Sequence, residues 1–107
     1  MNTEKIRKLN DSFRQSFIGG QVLLTQGIRA LPEQDIVDIM IKVQRFNDFN
    51  RKNDPYQEHD FGKIEHKGIN VFWKIDYYDK DNKYHSSDPS NPNRTNRVMT
   101  IMRSDEY

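Results

Sequence analysis

After Gly68 the chain reads INVFWKIDYYD, and its alternation leaves little freedom over what residues 69–79 can form. Val71, Trp73, Ile75 and Tyr77 take one phase, and Phe72, Lys74, Asp76 and Tyr78 take the other. A repeat of two residues is the period of a β-strand, whose successive side chains point to opposite faces. The first set predicts a core face; the second predicts a polar face that ends in aromatic rings. FGKIEHKG, just upstream, makes the partner strand of a hairpin over 61–79. Gly68 suits the left-handed position of a tight turn after His66 and Lys67, as in three-residue hairpin loops. Residues 97–104, RVMTIMRS, read as a last strand, antiparallel to 70–78.

A sheet with one apolar face needs a second layer. Two helices are predicted to supply it. In residues 3–16, with Thr3 as N-cap, Ile6, Leu9 and Phe13 share a face, and Lys5, Arg7, Lys8 and Asp11 lie on the other. Gly19 and Gly20 then break the pattern, and QVLLTQG reads as a short strand. The clearer helix spans about 33–49. Pro32 sits where a missing N–H costs nothing, and Glu33 and Asp35 complement the helix dipole. Ile36, Met40, Val43 and Phe46 make its stripe, widened by Val37, Ile39 and Ile41. DKDNKYHSSDPSNPN, 79–93, is turn and loop chemistry. The expectation is one two-layer α+β domain over 1–107. Its order is helix, strand, helix and three strands, an antiparallel sheet of about four strands with two helices on one face and the other face more open.

Composition removes several function classes. A chain of 107 residues holds one core. With 34% hydrophobic and 31% charged residues it would read as disordered if the charge were one-sided, but the net charge is +1. The same balance disfavours a dedicated nucleic-acid binder, although Arg94, Arg97 and Arg103 could make a local basic patch. Without cysteine there is no disulfide, zinc–thiolate site or thiol nucleophile. No apolar run approaches the roughly 20 residues that span a bilayer. The N-terminus is charged throughout and has no signal-peptide pattern, so a cytoplasmic location is expected.

The string most like a site is NDPYQEHDFG, 53–62. A histidine between carboxylates suits general acid–base work or a divalent metal. His66 and His85 show no ligand spacing with His59, so no metal site and no cofactor are expected. The competing reading is architectural: Asp54-Pro55 nucleates a turn, and His59 and Asp60 tie the hairpin entry to the end of the main helix. Lys74, Asp76 and Tyr78 form a second grouping on the polar sheet face. It is either an ordinary exposed ion pair or, with Phe72 and Thr100 and with Arg97 or Arg103, a binding surface. Glu65 and Lys67, an acidic-x-Lys pattern, straddle the tight turn, a poor place for rigid ligands. The loop 86–95 has no phosphate-loop or nucleophile-elbow spacing; Arg94 and Arg97 beside Thr95 could hold an anion. Glu106 and Tyr107 stand where chain ends usually fray.

Gly19-Gly20 with LTQGI, FNDFN, NDPYQEHDFG, VFWKIDYYD, SSDPSNPNRTNRVMTIM and the final EY together resemble a family of small alphaproteobacterial proteins known as domain of unknown function 3768. Gln57 stands where that family often has glycine, and Asn91 where it often has aspartate. The glutamine implies that a glycine-dependent backbone at 57 is not essential. The resemblance implies an accessory or mobile-element role and names no activity.

Three functions follow as expectations. The first is a non-enzymatic binding or regulatory module acting on a protein partner, with self-association open. The second is a cysteine-free hydrolase or ribonuclease. There His59 would serve as acid and base, Glu58, Asp60 and Asp76 would position substrate or metal, and Lys74 or Arg97 would stabilise negative charge. The third is nucleic-acid binding on the open sheet face through Lys74, Tyr78, Arg94 and Arg97. No membrane partner is expected.

Overall fold

The computed structural model describes residues 2–107. Helix α1 (Thr3–Ser16) leads to strand β1 (Gln21–Leu24), a single turn of helix α2 (Gln26–Arg29), and helix α3 (Glu33–Gln44). Strands β2 (Phe61–His66), β3 (Ile69–Tyr78) and β4 (Asn96–Arg103) follow, and a 3₁₀ turn (Ser104–Glu106) ends the chain. The four strands lie in the order β1-β4-β3-β2.

The α+β class, the four strands and the helix cover agree with the alternation and helix periods of the sequence. The sheet is mixed, however. β2 and β4 flank β3 antiparallel, while β1 runs parallel to β4, with Gln21 opposite Val98. A parallel partner needs a long crossover, and here the whole of α2, α3, β2 and β3 separates β1 from β4. Periodicity within each strand carries no information on that direction.

Val71, Trp73, Ile75, Tyr77, Met99 and Ile101 form the sheet side of the core, facing Ile6, Phe13, Ile28, Ile39 and Val43. Each large apolar side chain removed from water there contributes about 1.5–3 kcal/mol. The core setting of Trp73 requires a close approach. A Cβ on Gly62, its cross-strand neighbour, would lie 2.5 Å from the indole nitrogen and 2.8 Å from the Phe46 ring.

Local boundaries differ from the sequence reading for physical reasons. Asn2, not Thr3, caps α1, its Oδ1 accepting from the Lys5 N–H at 3.1 Å. The strand predicted over QVLLTQG stops at Leu24, and Gln26–Arg29 coil into α2. α3 ends at Gln44 instead of 49. Phe46 and Phe49 stay in the core from irregular backbone, at 5.5 and 6.1 Å between ring centroids from Trp73. Within α3, Ile39 is fully buried, whereas Val37 and Ile41 stay about two-fifths exposed. The hairpin turn has two residues, not three. Lys67 (φ 51°) and Gly68 (φ 82°) are both left-handed, and His66 pairs with Ile69, the pattern of a primed two-residue turn.

Candidate functional site

Asn10 belongs to the same α1 face as Ile6 and Phe13 and is fully buried. A buried amide must be hydrogen-bonded or it destabilises the fold. Its Nδ2 donates to the Glu58 carbonyl at 2.9 Å and to the Tyr77 hydroxyl at 2.7 Å, and its Oδ1 accepts from Arg97 Nε at 2.8 Å. Tyr77 in turn donates to Glu58 Oε1 at 2.7 Å. Arg97 Nη2 donates to the Pro89 carbonyl, and its guanidinium lies 5.3 Å from the centre of the Tyr77 ring. One buried network thus joins α1, the 53–60 segment, β3, β4 and the 86–95 loop. Burial, strengthened by the hydrogen bond to Glu58, drives the Tyr77 phenol well above its ordinary value. Burial also lowers the Arg97 guanidinium. Both shifts mark a dry environment.

His59 belongs to a neighbouring array. Its ring stacks on Phe49 at 3.7 Å with 2° between planes. Nδ1 is 2.8 Å from Asp11 Oδ1, and Nε2 is 3.5 Å from Asp54 Oδ2. Asp54 also accepts from the His59 main-chain N–H at 3.0 Å. Asp11 Oδ1 accepts from buried Arg14 at 2.9 Å, and the Arg14 guanidinium rests on Phe49 and Trp73. Acid and base therefore alternate along Arg14, Asp11, His59 and Asp54, so both nitrogens of His59 already face carboxylates.

Asp60 borders the buried network, with Tyr77 beside it in one cleft. That cleft, of about 220 Å³, is also lined by Asp76, Tyr78 and His85. Desolvation, then the nearby Glu58 charge, push its carboxyl up to about 6. On the open sheet face Lys74 Nζ lies 3.0 Å from Asp76 Oδ2, and that bond raises the lysine above its ordinary value.

The residues singled out from the sequence are thus brought together only in part. Asp60, Asp76 and Tyr78 share the cleft, and Lys74 joins them through Asp76. Glu58 is turned away into the buried network. His59 sits with Asp11 and Asp54. Arg97 is not on the Lys74 face: it pairs with Tyr77, on the core side of β4, while Thr100 is the partner of Lys74. Arg94 is exposed on the loop, so Arg94 and Arg97 do not make a shared anion site. Asn10, Asp11 and Arg14 were not expected as site residues. Their signal was present in α1, where Asn10 and Arg14 continue the Ile6 face at steps of four.

Three residues have metal-ligand chemistry in reach of one another: Asp35, Asp38 and His66 each place one ligand atom within 4.8 Å of the others. Two lysines already supply positive charge there. Lys67 Nζ is 2.9 Å from Asp35 Oδ1, and Lys42 Nζ is 3.1 Å from His66 Nδ1. An ammonium can only donate, so Nδ1 accepts and Nε2–H donates to Asp35 at 2.8 Å. Both imidazole nitrogens are thereby committed to neighbours. His66 and the Lys67 bond together hold the Asp35 carboxyl below its ordinary value.

The chain end is fixed. Glu106 accepts from the Thr25 hydroxyl at 2.7 Å and from the N–H groups of Gly27 and Arg103 at 2.9 Å each. Those three bonds, Thr25 first, keep its carboxyl low. The Tyr107 ring meets Phe72 and Phe61 edge-on, at 5.5 and 6.2 Å.

The fold is an open-faced α+β sheet of four strands with helices on one face and internally bonded polar clusters. The chain belongs to the family described as Protein of unknown function (DUF3768), which it matches over residues 24–106. No curated protein and no solved structure matches it. Among the described residues, no helix is long and apolar enough to cross a membrane.

Proposed function

We propose that this protein is a small cytoplasmic binding or regulatory module that acts on a protein partner through the open face of its sheet. The observation that carries this reading is the contrast in how polar and aromatic groups are used. Glu58, His59 and Arg97 are spent on internal bonds, whereas Phe61, Phe72 and Tyr107 form an aromatic cluster on the side away from the helices, with Tyr107 three-quarters exposed. Aromatic side chains are the residues that most often anchor protein interfaces. A role as an accessory of mobile elements agrees with this reading. The test is site-specific photo-crosslinking from position 72 and, as control, from Ser12 on the outer side of α1. A partner crosslinked at 72 should then bind the purified chain and be lost in Phe72→Ala. Equal crosslinking from both positions, or reconstituted binding indifferent to Phe72→Ala, would remove the open face from the proposal.

A specific observation favours a second reading, a cysteine-free hydrolase. Asp60 titrates near 6 in a cleft shared with Asp76, a value suited to proton transfer near neutral pH. Hydrolysis of RNA oligonucleotides or simple esters should then fall at least 100-fold in Asp60→Asn. Turnover unaffected by that change would end this reading.

A further inference from the structure

β2 is an edge strand, because β3 is its sole neighbour in the sheet order. The pairing fixes which of its main-chain groups face out. The turn closes at His66 and Ile69, and Ile75 N donates to the Asp60 carbonyl at 2.8 Å. In an antiparallel ladder bonded residues alternate, so 60, 62, 64 and 66 bond β3 while 61, 63 and 65 turn their N–H and C=O outward. Lys42 Nζ donates to the Glu65 carbonyl at 3.0 Å, as this alternation requires. The outward groups of Phe61 and Lys63 remain for another chain.

A groove of about 570 Å³ runs beside those two residues. Phe46, Phe61 and Phe72 give it apolar walls. Lys52 and Lys63 lie at its rim against a single carboxylate, Asp48. We infer that this groove takes an extended segment of a partner protein, which adds to the β2 edge as a further strand. The proposal rests on the protein-binding reading above and gives it a mode. Main-chain bonds to Phe61 and Lys63 would hold the segment. On the open face, an acidic side chain would lie opposite Lys63, and an apolar one, two residues away, would lie against Phe61 and Phe72. For a segment that runs antiparallel to β2 the recognised pattern is therefore acidic-x-apolar, the usual division of labour in strand addition.

The free edge itself decides against a second copy as occupant. With Glu65 engaged by Lys42, the outward ladder is Phe61 to Lys63, far short of the roughly 1,000 Å² that a stable interface buries. Pairing about the centre of that free stretch would set each Lys63 opposite Phe61 of the other copy, so neither lysine would meet a carboxylate across the ladder. A short linear segment needs less.

The test uses the full chain and a random heptapeptide display library. Enriched peptides should carry acidic-x-apolar and should lose at least tenfold in affinity against Lys63→Pro, with a smaller, few-fold loss against Lys63→Ala. Proline at this position deletes only an outward N–H, so the ladder to β3 is kept, and circular dichroism checks the fold. Should Lys63→Pro misfold, the block moves to the peptide: N-methylation of its paired amide should abolish binding to the wild-type chain. Absence of enrichment, enrichment without the pattern, or binding that survives both proline and N-methylation would overturn the inference. So would a concentration-dependent dimer that Lys63→Pro dissolves, since the edge would then belong to a second copy. If strand addition fails while crosslinking at 72 still captures a reconstituted partner, only the mode falls and the binding reading stands.

Discussion

The two faces of this sheet are built from adjacent residues and put them to opposite uses. On the covered face Trp73 and Tyr77 are locked, the indole in the aromatic core and the phenol by Glu58 and Asn10. One residue away, Phe72, Lys74 and Tyr78 remain partly in water, and their polar contact is a half-exposed Lys74–Asp76 pair of the kind that stabilises little. The comparison teaches where polar groups mean architecture and where they mean availability. The Tyr77 hydroxyl and the Asn10 amide inside the covered face are hydrogen-bonded and hence fixed; the open face has no such constraint.

The largest expected effect tests that asymmetry directly. Trp73→Ala should lose about 3–5 kcal/mol of stability in urea unfolding, as for large-to-small changes in a packed core. Phe72→Ala, its neighbour in sequence, should lose a small fraction of that. Equal losses would mean that the open face is a second core, and the contrast would be broken.

The next effect uses the paired tyrosines. Tyr77→Phe removes one hydroxyl and leaves Asn10 and Glu58 each short of a partner, an expected loss of about 1–3 kcal/mol. Tyr78→Phe should be nearly neutral. A neutral Tyr77→Phe would show that the buried network does not hold α1 to the sheet.

How much of this was legible in advance follows the same division. The alternation of 71–78 placed every core residue of β3, and the Ile6–Phe13 spacing placed α1, because burial repeats with the period of the element. Periodicity could not show that the β1 pairing is parallel, nor that Phe46 and Phe49 reach the core after α3 has ended. NDPYQEHDFG looked chemical because its residue types are those of active sites. Its roles depend on Asn10, Asp11, Phe49 and Tyr77, up to 48 residues distant along the chain for His59 and Asp11, and no local spacing encodes such partners. The final Glu-Tyr pair likewise could not be told from a loose end until Thr25 and Gly27 were seen to hold it.

Asp60 sharpens the comparison at the border of the two faces. Its carboxyl is raised from 3.8 to about 6, chiefly by desolvation. A folded-state value above the unfolded one contributes stability that is complete below about pH 4 and is lost as pH rises through 6. Asp35, Asp88 and Glu106, all lowered, act in the opposite sense and below that window, losing their contribution as pH falls. Asp60→Asn should therefore gain about 1–2 kcal/mol at pH 7, discounted for partial exposure, and should flatten the stability profile between pH 4 and 6. Carbon-13 titration of the wild-type carboxyl at an ordinary value would refute both.

The smallest effect bears on the loop that roofs the covered face. Gln57 has φ 59°, a left-handed conformation, so the residue where the family often has glycine does use a glycine-favouring backbone. The glutamine tolerates that conformation; it does not remove the need for it. The contact made by this position uses its main chain, since Arg7 Nη1 donates to the Gln57 carbonyl at 3.0 Å, and a glycine keeps it. Relief of the left-handed cost, partly offset by the freer unfolded chain, gives an expected gain of about 0.5–1 kcal/mol for Gln57→Gly. His59 is equally left-handed at φ 56°, yet His59→Gly should lose stability, because the ring is stacked on Phe49 and bonded to Asp11. Opposite signs at two residues with the same backbone would separate strain that is merely tolerated from strain that a side chain holds in place. If both glycines stabilise the fold, the His59 array is not architectural and its chemistry becomes the question again.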